Sequence, residues 1–86
     1  MRVIKVAGRS RPTKVAGAIA GIVREEGQTG ARAIGARAVN QAIKGVIVAR
    51  KYLAQDGIDV ICIPVFTQLE IGGLERTAIT LIVEPR

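Results

Sequence analysis

The sequence predicts an α/β fold, an α+β two-layer sandwich in which a single layer of helices covers one small sheet. Three observations carry that expectation. The stretches "TKVAGAIAGIVREEG" and "IGARAVNQAIKGVIVAR" place apolar residues at helical spacing, and each follows a short strand-like run. "IDVICIPVFTQLEI" is almost continuous in apolar and β-branched residues, as a sheet strand is. Gly72-Gly73 separates it from the alternating "RTAITLIVEPR", which signals a two-residue hairpin. The order is therefore β-α-β-α-β-β, and 86 residues without linker, repeat or low-complexity tract fit one domain, residues 1–86.

"RVIKVA" sets Val3, Ile4 and Val6 against Arg2 and Lys5 and ends near Gly8, which makes a first strand. In "GRSRPTK", Ser10 or Arg11 is placed as a helix cap, with Pro12 in the first turn, where its missing N–H costs nothing. The first helix buries Val15, Ile19, Ile22 and Val23 and stops at Gly27, a C′ glycine. Gly17 and Gly21 each cost up to about 1 kcal/mol relative to Ala in a helix. They imply either a close backbone approach or simple tolerance of small residues.

A short second strand centred on Arg32 to Ile34 completes a strand–helix–strand unit, whose expected form is parallel and right-handed. At about 100° per residue, the second helix carries Arg37, Gln41, Lys44 and Lys51 on one stripe. Val39, Ala42, Ile43, Val46 and Leu53 gather opposite, and Val48 falls within the basic stripe. Arg50 lies within the apolar face and is expected to reach a carboxylate past the helix end or to snorkel outwards. Val60 to Phe66 reads as a strand buried on both faces, although Pro64 argues for an edge position or a bulge. Cys62, inside that run, is expected to be a small core residue. If both helices cover the same face of the sheet, the other face is left bare, which points to a homodimer or higher homo-oligomer.

The composition narrows the function. Lys and Arg number 13 against 7 Asp and Glu, a net charge of +6, which is the footprint of a polyanion binder. The charge is uneven: residues 1–51 carry +9 and residues 52–86 carry −3. Phe66 and Tyr52 are the only rings, so stacking of bases on aromatic platforms is almost unavailable. There is no histidine and only one cysteine, which excludes a His-based triad, an imidazole base and an internal disulfide. No cofactor, no metal and no small-molecule substrate are expected, and without a catalytic pairing of carboxylates no enzyme is expected either. "MRVIKVAGRSR" has no apolar h-region, and no apolar run approaches the roughly 20 residues that span a bilayer. The expected location is cytoplasmic, with no membrane partner.

Two segments carry candidate chemistry. "GRSRPTK" joins Arg9, Arg11 and Lys14 to a helix N-terminus, which favours a phosphate but equally describes a solvated loop. It lacks the second glycine and the Lys-Ser/Thr pair of a P-loop. Arg37, Asn40, Gln41 and Lys44 open the second helix. In a parallel unit both strand-to-helix turns emerge at one edge of the sheet, so the two segments should form one basic edge. There Arg and Lys neutralise phosphates, while Asn40 and Gln41 either bond backbone or base edges or serve as ordinary capping and surface groups.

The stretches "VAGAIAGIVRE", "AIGARAVNQAIKGVIVAR", "DVICIPVF" and "ERTAITLIVEPR" resemble the stage V sporulation protein S family almost end to end. That resemblance implies an Alba-like βαβαββ domain with a mixed four-stranded sheet and two helices packed on one face. It also implies dimers that bind nucleic acid, DNA or RNA, through the loop before the first helix, the start of the second helix and the β-hairpin. Carried onto this chain, the first two become Arg9, Arg11 and Lys14, and Arg37, Asn40, Gln41 and Lys44. The hairpin departs from the pattern, because "LEIGGLER" bears Glu70 and Glu75 with Arg76 as its only cation, and an acidic arm is repelled by phosphate. The expected function is a non-enzymatic nucleic-acid-binding regulator of sporulation. The alternative is an assembly module in such a pathway, whose acidic half docks on the basic half of a neighbour.

Overall fold

The computed structural model describes residues 1–86. Its elements are β1 (Val3–Val6), α1 (Pro12–Glu26), β2 (Thr29–Ala33), α2 (Ala36–Ala54), β3 (Val60–Ile71) and β4 (Leu74–Pro85). They form one mixed sheet of order β1-β2-β4-β3. β1 pairs parallel with β2, and β4 runs antiparallel to both β2 and β3. The predicted β-α-β-α-β-β order and two-layer architecture are present, and they are consistent with an Alba-like arrangement.

Both helices lie on one face. Alternate strand residues Val6, Ala31, Ala33, Leu81 and Val83 point towards them and meet Ala16, Ile19, Ala20, Ala42, Val46, Ala49 and Leu53. Alanine dominates this core, so the layers sit close together. The tightest approach is at Gly45 of α2, where an added Cβ would lie 2.8 Å from Val15 Cβ of α1. Gly17 and Gly21 have nothing within 4 Å of such a Cβ. The close approach therefore belongs to Gly45, and the α1 glycines are tolerated small residues.

Gly27 and Gly35 take positive φ where α1 ends and α2 begins. α1 starts on Pro12 without a side-chain cap, and Ser10 instead accepts a hydrogen bond from the Ala7 N–H at 2.9 Å. β2 begins earlier than its composition suggests. Gly30, which reads as part of a turn, lies within the strand, paired with Val3 and Ile82, and a Cβ there would meet Thr80 Cγ2 at 2.9 Å. A tertiary contact sets that residue.

The expectation of a third strand buried on both faces is overturned. β4, not β3, takes the central place, and along β3 only Val60 is fully buried. Pro64 sits on this edge strand, the position in a sheet where proline is tolerated. Cys62 is exposed rather than in the core. On α2, Ile43 and Ile47 are 45% and 52% exposed, whereas Val48 packs against the core. The helix is rotated from the expected orientation because its Gly45 side is drawn towards Val15. Arg50 is exposed with no carboxylate partner, so it snorkels.

β3 and β4 outrun the sheet. The last β2 pair is Ala33 with Ile79, but the β3–β4 ladder continues to Ile71 with Leu74. The result is a free hairpin arm closed by Gly72 and Gly73, both at positive φ, as a two-residue I′ turn requires. The arm accounts for the long axis of 43 Å against 23 and 17 Å. No helix is long and apolar enough to cross a membrane.

Candidate nucleic-acid interface

Parallel pairing of β1 with β2 brings the carboxyl ends of both strands, and the amino ends of both helices, to one end of the molecule. The two predicted segments meet there. Gln41 Nε2 donates to the Ser10 carbonyl oxygen at 2.8 Å. Arg37 lies across Gly8, with its Cδ 3.1 Å from where a Gly8 Cβ would stand. Arg9, Arg11, Lys14, Arg37, Asn40 and Lys44 are all exposed around this junction. Gln41 is half-buried and its amide N–H is committed to Ser10. Its role is to hold the loop, and only its Oε1 is left for other contacts.

The ion pairs are sorted by position. Glu26 meets Arg2 at 2.9 Å, Asp56 meets Arg24 at 2.6 Å, and Asp59 meets Arg86 at 2.7 Å. All of these lie at the opposite end, beside the carboxyl ends of the helices. No carboxylate comes within 4.0 Å of Arg9, Arg11, Lys14, Arg37 or Lys44. The distal end is thus locally neutralised, while these five cations keep their charge free of ion pairs.

Two cations missing from the predicted set belong to this end. Lys5 and Arg32 are register partners on β1 and β2. They stand on the sheet face that the helices leave open, and neither has a carboxylate partner. Lys5 also shares a groove with Arg11 and Lys14. The strand alternation of "RVIKVA" already sets Lys5 apart from Ile4 and Val6. Its apposition to Arg32 needs the register.

The hairpin arm rises from the same end. Glu70 and Glu75 are direct cross-strand partners on it, a like-charge pairing that weakens a ladder. The tip exposes Ile71 and Leu74, at 51% and 68%. Cys62 lies in a groove between α2 and β3 with Ile43, Ile47 and Leu81. Burial there pushes its thiol pKa up.

Compared with known protein families, residues 2–86 match the model described as stage V sporulation protein S. The match takes in both loops of the basic end, the hairpin arm and every core element, and it supports a sporulation-related role. With essentially the whole chain matched, this protein belongs to the stage V sporulation protein S (SpoVS) family.

Proposed function

We propose that this protein is a non-enzymatic, cytoplasmic nucleic-acid-binding regulator of sporulation, acting as a homo-oligomer that grips phosphate backbones with its basic end. The observation that carries the reading is the sorting of charge: the carboxylates that form ion pairs do so at the distal end, and Arg9, Arg11, Lys14, Arg37 and Lys44 remain unpaired together. Cations on two helix-start segments tied by the Gln41–Ser10 bond suit backbone contact, which positions a duplex without reading its sequence. Asn40 is the one exposed amide among them able to reach a base edge. The oligomer is supported by apolar surface that a lone chain leaves bare: Ile43 and Ile47 on α2 beside the β3 edge, where Phe66 is 77% exposed. A two-fold pairing through that edge covers it.

The test is fluorescence anisotropy with duplex DNA and with structured RNA across a salt series. Each neutralised phosphate contributes roughly −0.9 to the slope of log K against log salt on duplex DNA. A steep slope that flattens in the Arg9→Ala, Arg11→Ala, Lys14→Ala triple variant is expected. Absence of binding at low salt overturns the reading. Light scattering on Ile47→Glu should report a smaller particle than the parent.

A second reading has one observation in its favour, the exposed Glu70–Glu75 pair on the arm. In it the arm docks on the basic end of a neighbouring copy or of a partner protein, without nucleic acid. The triple variant then loses its assembly state, whereas under the first reading it keeps that state and loses nucleic-acid affinity.

A further inference from the structure

Between the carboxyl ends of β1 and β2 and the hairpin arm lies a cleft of about 590 Å³, within the range of about 300–1,000 Å³ typical of small-ligand sites. Lys5, Arg32 and Ile34 come from the strand ends, and Leu69, Glu70 and Ile71 from the arm. Arg32 is half-buried, and its guanidinium makes neither an ion pair nor a hydrogen bond within the protein. Its neighbour in register is a second cation, Lys5, so each raises the cost of leaving the other uncompensated. Glu70 shares the cleft yet comes within 4.0 Å of neither.

Strand alternation sets Leu69 and Ile71 on the same sheet face as Lys5 and Arg32 and turns Glu70 to the other, so two unpaired cations and two apolar side chains share one face of the cleft. The complementary ligand has an anionic group joined to an apolar or planar body. We propose that this cleft binds one nucleotide, either free or as a unit of a strand. The Arg32 fork takes two phosphate oxygens and Lys5 adds a point charge. The ring lies against Leu69 and Ile71, on the face that carries both cations. Where the nucleotide belongs to a strand, the proposal rests on the nucleic-acid reading above; where it is free, it stands apart from that reading.

The experiment is an amide chemical-shift titration with adenosine and uridine 5′-monophosphates, with inorganic phosphate and adenosine alone as controls, followed by anisotropy with a short single-stranded oligonucleotide. Saturable shifts at Lys5, Arg32 and Ile71 are expected, with a Kd at least tenfold weaker in Lys5→Ala and in Ile71→Ala, and unchanged in Lys51→Ala. Lys5 lies exposed on an edge strand, so its variant keeps the fold if Arg32→Ala does not. Mononucleotide shifts without oligonucleotide binding assign the site to free nucleotides and overturn the basic-edge reading alone. Oligonucleotide binding that falls in Lys5→Ala without mononucleotide shifts assigns it to strands. Oligonucleotide binding that falls only in the Arg9, Arg11, Lys14 variant, with no mononucleotide shifts at millimolar concentration, overturns the cleft proposal and leaves the basic edge standing. Shifts from inorganic phosphate equal to those from the nucleotides overturn the role given to the ring and to Leu69 and Ile71.

Discussion

Gln41 on the second turn of α2 donates through Nε2 to the backbone carbonyl of Ser10, 2.8 Å away in the loop before α1. One neutral side chain therefore fixes the distance between the two cationic segments. Ser10 in turn accepts from the Ala7 N–H, so the loop is held from both sides.

Replacing Gln41 by Ala should cost about 1 kcal/mol of stability, the usual net worth of such a bond, and should weaken nucleic-acid binding several-fold. Because no charge is removed, the salt slope should stay that of the parent, whereas Arg11→Ala should flatten it by about 0.9 on duplex DNA. Paired salt titrations of the two variants check this. Equal slopes for Gln41→Ala and Arg11→Ala would count against the division of labour.

Glu75→Lys should stabilise the arm and strengthen nucleic-acid binding. Glu75 faces Glu70 across the ladder, and turning repulsion into attraction at such a position is worth about 0.2–1 kcal/mol. It also adds a cation beside the basic end. Urea unfolding and anisotropy should move in the same favourable direction; weaker binding in the lysine variant would favour the arm as a protein-docking element.

Gly45→Ala and Gly17→Ala should have opposite signs. At Gly45 the new methyl would stand 2.8 Å from Val15 Cβ, and forcing the helices apart costs typically about 1–3 kcal/mol. At Gly17 nothing lies within 4 Å, so the helix-propensity gain of up to about 1 kcal/mol is kept. Thermal melts should show a lowered Tm for the first and a raised one for the second.

Cys62 should react slowly for a residue at the surface. Burial of the thiol in the α2–β3 groove raises its pKa, so at mildly alkaline pH its thiolate fraction is below that of a free cysteine. Alkylation by iodoacetamide should lag a model thiol and catch up only as pH rises past the raised value. The sign for stability follows: the folded state holds the proton more tightly. Its contribution is full below the unfolded-state pKa and is lost as pH climbs through the folded one. Urea midpoints on either side of that window, with Cys62→Ala as the reference, check it.

The helices and the hairpin were legible because each is specified locally. Apolar spacing, Pro12 at the start of α1, Gly27 at its end and the Gly72-Gly73 turn are all short-range signals. The basic edge was legible for a topological reason, since a parallel strand–helix unit puts both of its turns at one end. Three readings failed together at β3, Cys62 and Ile43. An apolar run of β-branched residues describes a central strand and an edge strand awaiting cover equally well, and only the pairing of β4 with β2 tells them apart.

By itself the sequence determined the element order, the concentration of positive charge in its first half and the absence of imidazole chemistry, because composition and local periodicity are properties of the chain. Which glycine touches a neighbouring helix, which cations are left unpaired, and the meeting of Lys5 and Arg32 with Leu69 and Ile71 around one cleft were decided by the tertiary structure. Those facts depend on strand register and helix rotation, and these are set by contacts between residues far apart in the chain.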